Sequence, residues 1–156
     1  PALMRMVCQA FTDTLQNLTF DRIAGLPYAA LPIATLIGQM GNWPMIYPRK
    51  EVKEYGTKAN IEGIYKTGEQ IVMIDDLATT GGSKFEAIDK LVEAGLKVKD
   101  VVVLIDRQSG AAEALAEKGY KLHAVLQFTD LLHYWRDSKQ VAESQIQDVF
   151  QFLETH

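Results

Sequence analysis

Two adjacent carboxylates, followed by small and hydroxylated residues, form the segment of this sequence with the clearest chemical potential. The segment 75–83 reads Asp-Asp-Leu-Ala-Thr-Thr-Gly-Gly-Ser. Gly81 and Gly82 permit positive φ and close backbone approach, so successive N–H groups can surround an anion at the start of a helix. Three side chains of the segment add hydroxyl donors: Thr79, Thr80 and Ser83. These features predict a binding site for a phosphate monoester.

The acidic pair, Asp75 and Asp76, must face another part of the ligand, because carboxylates repel phosphate. Sugar hydroxyls or a hydrated Mg²⁺ are suitable partners, and a ribose 5-phosphate offers hydroxyls beside its phosphate. The structural alternative is that the pair begins a turn and that Thr-Thr-Gly-Gly caps a helix. The order of strand, acidic pair, glycine turn and helix favours the ligand site. A Walker A loop is excluded, because no lysine directly follows the two glycines.

Strands and helices alternate along the chain, which predicts an α/β fold with a mainly parallel sheet and helices on both faces. The predicted strands are Arg22–Gly25, Met45–Tyr47, Gln70–Ile74, Val101–Ile105 and Lys121–Leu126. The predicted helices are Leu3–Leu15, Ala29–Met40, Ser83–Ala94, Ala111–Lys118 and Ser138–Leu153. Ligands of such sheets bind beyond the carboxyl ends of the strands. The segments 75–83 and 106–110 follow two of these strands.

Composition limits the class of protein. The 156 residues, 47% of them hydrophobic, suit one domain over 1–156 with a core that needs no disulfide. Cys8 is the only cysteine, which indicates a reducing compartment, and we expect the cytoplasm. The net charge of −4 argues against nucleic acid as a partner. No apolar run approaches the roughly 20 residues of a membrane span.

The segment 75–83 resembles the signature with which type I phosphoribosyltransferases bind phosphoribosyl pyrophosphate (PRPP). The resemblance implies their fold and PRPP contacts from every residue of the segment: Asp75, Asp76, Leu77, Ala78, Thr79, Thr80, Gly81, Gly82 and Ser83. It also implies Mg²⁺ as cofactor, carried by PRPP near the acidic pair, with no metal ligand assigned in the protein. In this reading Asp76 is also catalytic, since it offsets positive charge on the ribose.

A second segment, 49–58, reads Arg-Lys-Glu-Val-Lys-Glu-Tyr-Gly-Thr-Lys. An isolated run of this kind is typical of a solvated hairpin. Beside the phosphate segment, it resembles the flexible catalytic loop of orotate phosphoribosyltransferases, most closely that of bifunctional UMP synthases. The resemblance implies a homodimer with a shared active site, in which the loop closes over substrate. Four of its side chains would bind PRPP: Arg49, Lys50, Lys53 and Tyr55. Arg49, Lys50 and Lys53 would also be catalytic, because they would hold the departing pyrophosphate.

Two further segments complete the resemblance. Gly25–Pro32 is similar to the family's pyrophosphate loop, which implies PRPP contacts at Tyr28 and Ala29, although some relatives carry a lysine at the position of Ala29. Such a turn is commonplace by itself. The segment 106–110 contains Arg107. It is either a surface arginine in a turn or, by the resemblance, a residue that binds the carboxylate and ring carbonyl of orotate, with further orotate contacts from the backbone near Thr79.

The expected activity transfers the phosphoribosyl group of PRPP to orotate, giving orotidine 5'-monophosphate and pyrophosphate in UMP biosynthesis. Three alternatives stay open: a transferase for another base, a PRPP-binding regulator, and a non-catalytic fragment. The resemblance begins inside the family domain, so we expect the N-terminal base-covering segment to be missing. A fused orotidine 5'-monophosphate decarboxylase domain is possible in the native gene. The three histidines lack metal-ligand spacing, and we expect both tryptophans to serve in packing.

Overall fold

A computed structural model of the chain describes residues 1–50 and 60–155, and these contain six strands and six helices. The strands are β1 (Arg22–Gly25), β2 (Met45–Pro48), β3 (Ile61–Glu62), β4 (Gln70–Ala78), β5 (Lys97–Asp106) and β6 (Lys121–Gln127). The helices are α1 (Ala2–Leu15), α2 (Ala30–Gly41), α3 (Gly82–Glu93), α4 (Ala111–Glu117), α5 (Phe128–Asp137) and α6 (Glu143–Thr155). No helix within these ranges has both the length and the apolar character needed to cross a bilayer.

The strands form one sheet in the order β3-β2-β1-β4-β5-β6. Strand β1 pairs in parallel with both β2 and β4, and β4, β5 and β6 continue the parallel ladder. The short β3 is antiparallel to β2. The chain moves outward from β1 to β2 and later returns to the other side of β1 as β4. The loops that follow β1 and β4 therefore diverge at this point, where doubly wound sheets form a ligand-binding crevice. The predicted fold class is confirmed.

The core lies on both faces of the sheet, because successive side chains of a strand point in opposite directions. Along β4, Ile71 and Met73 join a buried cluster with residues of α3 and α4. Val72 and Ile74 join a second cluster with residues of α1 and α2. Each fully buried aliphatic side chain stabilises the fold by about 1.5–3 kcal/mol. Strand β4 is thus fixed from both faces, which makes it a rigid support for whatever follows it.

The predicted elements agree with the structure along most of the chain, with corrections at β4, at β5 and in the C-terminal region. Strand β4 runs to Ala78, so the acidic pair lies within the strand and the turn is confined to 79–81. The ladder continues past Ile74 because β5 is also longer than predicted, and Ala78 pairs with Asp106.

The predicted C-terminal helix Ser138–Leu153 is wrong at its start, since α6 begins at Glu143 and a separate helix, α5, precedes it. Helix α5 follows β6 without a break, and Gln127 at its N-cap makes no side-chain capping bond. Neither glycine nor proline marks the change from strand to helix. Strand β3 has two residues, too few to show a periodicity.

A partly buried ion pair joins the amino ends of β1 and β4. The guanidinium of Arg22 donates from Nε to Glu69 Oε2 at 2.5 Å and from its terminal nitrogen to Oε1 at 2.8 Å. The backbone N–H of Lys66 donates to the same carboxylate at 2.9 Å. The hydrogen bonding from Arg22 is the main cause, and that from Lys66 the second, by which the pKa of Glu69 is lowered from its ordinary 4.5 to about 2. The carboxylate therefore stays charged in acid while the chain is folded.

This pair predicts a specific pH dependence of stability. Because the pKa of Glu69 is lowered in the folded state, its contribution is complete above about pH 4.5 and is lost as the pH falls toward 2. Glu69→Gln should lower the melting temperature at pH 7 and flatten its decline between these two pH values. Thermal unfolding followed by circular dichroism measures both effects. Glu117→Gln, at an exposed position of α4, should leave the profile unchanged. Parallel profiles for Glu69→Gln and the wild-type chain would contradict the assignment.

Candidate functional site

A cleft of about 330 Å³ opens at the carboxyl ends of β1, β2 and β4. Its walls come from the three sequence segments that were predicted to bind different parts of one ligand. The lining residues are Leu26, Pro27, Pro48, Arg49, Lys50, Asp75, Asp76, Leu77, Thr79, Ser83, Lys84, Glu86, Ala87 and Lys90. The cleft holds cationic side chains on one part of its wall and the acidic pair on another, so it suits a ligand that is both anionic and rich in hydroxyls.

The turn between β4 and α3 has the features of an anion site. Gly81 is the N-cap of α3 with φ at +89°, a conformation that favours glycine. No side chain caps the helix and its first turn contains no acidic residue. The first-turn N–H groups of a helix have no acceptor within the helix, and the macrodipole attracts negative charge to them. Space also remains open where a Cβ on Gly82 would project. The capping interpretation of the threonines is therefore not supported, and the turn can accept a phosphate.

The two carboxylates of the acidic pair have different environments. Asp75 is only 8% exposed, and its Oδ1 accepts the N–H of Asp76 at 2.9 Å. Its Oδ2 accepts a hydrogen bond from Lys84 Nζ at 2.8 Å. Burial raises the pKa of Asp75, and the Lys84 ammonium is the strongest opposing influence. Asp76 is partly exposed and lines the cleft. Asp76 is therefore the more open carboxylate, while Asp75 is already engaged within the protein.

Lys84 is a site residue that the sequence interpretation missed. Its ammonium, on a residue only 2% exposed, contacts Asp75 and also donates to the carbonyl of Leu77 at 2.6 Å. A signal was present, because Lys84 precedes Ile88 by four residues and Leu91 by seven, which places it on the buried stripe of α3. A lysine on such a stripe needs a partner, and a carboxylate at the end of the preceding strand is the nearest candidate by chain connectivity.

The basic segment is described only at its start. Lys53 and Tyr55 lie at 51–59, outside the described residues. The guanidinium of Arg49 forms an ion pair with Glu62 of β3. Lys50 extends toward the predicted pyrophosphate loop, where its Nζ lies 5.7 Å from the ring centroid of Tyr28. The structure thus brings together two predicted PRPP contacts from distant segments, Lys50 and Tyr28.

A second lysine of α3 fixes the point at which this basic segment leaves β2. Lys90 Nζ donates to the carbonyl of Arg49 at 2.7 Å and to that of Lys50 at 3.3 Å. The N–H of Arg49 in turn donates to the carbonyl of Asn60 at 2.8 Å. Sequence reasoning did not find Lys90, because a side chain that binds backbone carbonyls leaves no mark in the partner's sequence.

The predicted pyrophosphate loop follows β1 as expected. The N–H of Leu26 donates to the carbonyl of Ile74 at 3.0 Å, which holds the start of the loop against β4. Tyr28 and Ala29 are exposed just before α2 begins. The loop therefore begins beside the acidic pair, and its Leu26 and Pro27 line the same cleft.

A second pocket, of about 270 Å³, adjoins the cleft and shares Thr79 with it. Its lining residues are Thr79, Thr80, Arg107, Gln108, Ser109, Phe152 and Leu153. The N–H of Arg107 donates to the carbonyl of Ala78 at 2.9 Å. This bond fixes Arg107 beside the turn 79–81, which we call the phosphate turn after the ligand it is predicted to bind. The two residues predicted to bind orotate, Thr79 and Arg107, thus meet in one pocket. The apolar wall from α6 was not predicted, because nothing local in the sequence places a C-terminal helix against this loop.

Two histidines and one tryptophan of the described residues have local side-chain partners. His123 Nε2 lies 2.8 Å from Asp100 Oδ1, and the ring of His133 lies 5.2 Å from that of Phe150. Trp43 packs edge-on against Phe20. Within residues 1–50 and 60–155, no cluster of three or more potential metal ligands is present.

Comparisons with known proteins agree with this geometry. No protein-family model matches the chain. It is 36% identical over 155 residues to an orotate phosphoribosyltransferase of Caenorhabditis elegans, covering 98% of this chain and 68% of that protein. It is 46% identical over 136 residues to the bifunctional enzyme PyrF/PyrE of Nostoc sp., covering 85% of this chain and 28% of that protein.

A solved structure, the UMP synthase of Leishmania donovani, matches with a TM-score of 0.92 and 49% identity over 100% of this chain and 34% of that one. The chain thus spans about a third of the length of these two bifunctional relatives. Against the single-function enzyme of C. elegans the match extends over two thirds of the protein. Sequence identity, fold and the arrangement of the two pockets point in the same direction: this chain belongs to the orotate phosphoribosyltransferase family.

Proposed function

We propose that the chain transfers the phosphoribosyl group of PRPP to orotate, releasing pyrophosphate and forming orotidine 5'-monophosphate for UMP synthesis. A bond forms between a ring nitrogen of orotate and C1 of the ribose while the bond from C1 to pyrophosphate breaks. The observation that carries the proposal is the pair of pockets that meet at Thr79. One suits an anionic sugar phosphate, and the other offers a guanidinium to a planar anionic ring.

In this proposal the 5'-phosphate binds the turn 79–83, and the ribose hydroxyls face Asp76. The base lies beside Arg107, across Thr79 from the ribose. Holding both reactants at this junction brings C1 within attack distance of the base, which replaces a bimolecular encounter by an oriented one. The turn directly follows β4, whose central residues are buried on both faces, so the strand anchors one end of the proposed phosphate site.

Electrostatic stabilisation of the pyrophosphate and of the ribose supplies the remaining catalysis. Negative charge grows on the departing pyrophosphate, and preorganised cations stabilise it. Lys50, beside Tyr28, is placed for this role, and Arg49 lines the same cleft. We include Lys53 and Tyr55 in the proposal on the strength of the family resemblance. Asp76 offsets the positive charge that develops on the ribose.

We also propose that PRPP enters with Mg²⁺. The described residues fit this mode, because they offer open carboxylate in the cleft without a closed cluster of metal ligands. Mg²⁺ commonly keeps several waters and binds through one or two carboxylates plus substrate phosphates. When bound, the ion supplies neutralisation of the pyrophosphate charge, and Asp76 is the side chain best placed to meet its hydration shell.

A homodimer with shared sites, acting in the cytoplasm, completes the proposal. Support comes from the resemblance of the segment 49–58 to a catalytic loop that crosses a subunit interface, and from the single free cysteine, Cys8, for the compartment. The bifunctional relatives support a second catalytic domain in the native protein. For that domain we propose an orotidine 5'-monophosphate decarboxylase.

The proposed reaction is tested by pyrophosphate release from PRPP and Mg²⁺ with orotate or another base. Orotate should give the fastest release. Arg107→Gln should raise KM for orotate by about 10- to 100-fold, the loss expected for a hydrogen bond to a charged group, and should leave KM for PRPP unchanged. Arg5→Gln, at an exposed position of α1, is the matched control.

Each alternative function gives a distinct result in this assay. Release with another base but not orotate would assign a different substrate. PRPP binding without release for any base would favour a regulator. An Arg107→Gln enzyme with an unchanged KM for orotate would remove Arg107 from the base site.

The shared site is tested by mixing two inactive variants, Lys53→Ala and Asp76→Ala. If one subunit supplies Lys53 to the site that contains its partner's Asp76, a mixed dimer has one intact site of two. At equal amounts, random assembly should restore about a quarter of wild-type activity. Native mass spectrometry establishes that mixed dimers form. Mixed dimers without activity would contradict a shared site.

A further inference from the structure

We infer that Lys84 is a positioning residue of the ribose-phosphate site, whose ammonium fixes Asp75 and the end of β4 so that Asp76 is correctly oriented toward the ligand. This inference rests on the proposed binding of PRPP in the cleft. It assigns a role to a residue outside the signature segment 75–83, on the first turn of the following helix. Lys84 acts through its neighbours, so it is distinct from the residues proposed to touch the substrate.

The contacts of Lys84 tie three parts of the site together. The residue belongs to α3, directly after the phosphate turn, yet its Nζ reaches back to β4. There it donates to Asp75 Oδ2 at 2.8 Å and to the carbonyl of Leu77 at 2.6 Å. The other oxygen of Asp75 accepts the N–H of Asp76 at 2.9 Å. A chain of hydrogen bonds therefore leads from the helix, through the buried carboxylate, to the backbone of Asp76.

Stability alone does not explain a charged pair at this position. Removing an ammonium and a carboxylate from water is unfavourable, and an apolar pair of similar size is often as stable or more so. Position 84 lies on the stripe of α3 that also carries Ile88 and Leu91, both fully buried, so an aliphatic side chain would suit it. Because stability does not explain the charge, we assign the ammonium of Lys84 a role in the cleft that this residue lines.

Besides positioning Asp75, the ammonium of Lys84 has an electrostatic effect on the cleft. PRPP brings a phosphate and a pyrophosphate into a cleft that already contains two adjacent carboxylates. The buried ammonium offsets the charge of Asp75 at short range, where the surroundings screen little. The other cationic side chains that line this cleft are Arg49, Lys50 and Lys90, and none of the three forms an ion pair with Asp75. Lys84 is thus the described cation that makes the acidic pair compatible with an anionic ligand.

A double-mutant cycle tests the inference through binding and does not require turnover. The variants are Lys84→Met, Asp75→Asn and the double variant, with Lys97→Met at the opposite, amino end of β5 as the lysine control. Calorimetric titration with PRPP and Mg²⁺ gives the dissociation constant, and thermal unfolding gives the stability of each variant. Lys84→Met should weaken PRPP binding roughly tenfold or more, and Lys97→Met should leave it unchanged.

The double variant separates positioning from a general structural role. It contains no unpaired buried charge, so it should unfold near the wild-type temperature. Because it lacks the hydrogen bonds by which Lys84 holds Asp75 and the carbonyl of Leu77, it should still bind PRPP more weakly than the wild-type chain. Its loss of affinity should be smaller than the product of the two single losses, because Lys84 acts in large part through Asp75. The binding measurement on the double variant also serves if Lys84→Met alone does not fold.

Three results would overturn the inference. The first is a folded Lys84→Met variant that binds PRPP with wild-type affinity. The second is a double variant whose loss of PRPP affinity equals the product of the two single losses, as expected if the two residues contact the ligand independently. The third is a wild-type chain that does not bind PRPP, which would also remove the proposed function. A wild-type chain that binds PRPP but releases no pyrophosphate with orotate would overturn the proposed function alone.

Discussion

The pairing of β4 with β1 on one side and β5 on the other is the constraint on which the candidate site depends. Both faces of β4 are covered by helices, so its position and direction are fixed by buried aliphatic side chains. The strand ends at Ala78, and the chain must then turn within three residues to begin α3. The glycine conformation of the turn, the open helix N-terminus and the partly exposed Asp76 all follow from where this strand ends.

Carboxylates and cations line the same cleft but belong to different parts of the fold. The acidic pair belongs to β4, and the cations Lys50 and Arg49 come from the end of β2. Two lysines of α3 serve both sides: Lys84 binds the buried carboxylate, and Lys90 binds the carbonyls where the basic segment begins. Helix α3 therefore contributes an uncapped N-terminus beside the turn, and its side chains fix the geometry of both walls.

The sequence was most informative where backbone chemistry is local. The glycine turn, the acidic pair and the buried strands could be predicted because each depends on residues adjacent in the chain. The contacts of Lys84 and Lys90 depend on which helix face meets which strand end, a tertiary property that periodicity only suggests. The wall formed by Phe152 and Leu153 depends on the docking of a helix about 70 residues beyond the phosphate turn.

The same reasoning explains the errors in the helices and strands. Acidic residues are uncommon inside strands, so the acidic pair was taken as the start of a loop, although a long partner strand extends the ladder past it. Helix α5 was missed because aromatic residues such as Tyr134 and Trp135 have modest helix propensity. Its formation depends on packing against β6 and α6, which becomes known only with the fold.

The central claim is that the turn between β4 and α3 binds the 5'-phosphate of PRPP through backbone N–H groups. A crystal structure of the chain with PRPP and Mg²⁺ tests it most directly. We expect the 5'-phosphate at the N-terminus of α3, within hydrogen-bonding distance of the N–H groups of Gly82 and Ser83, with the ribose hydroxyls facing Asp76. A phosphate bound elsewhere, with this turn closed to solvent, would contradict it.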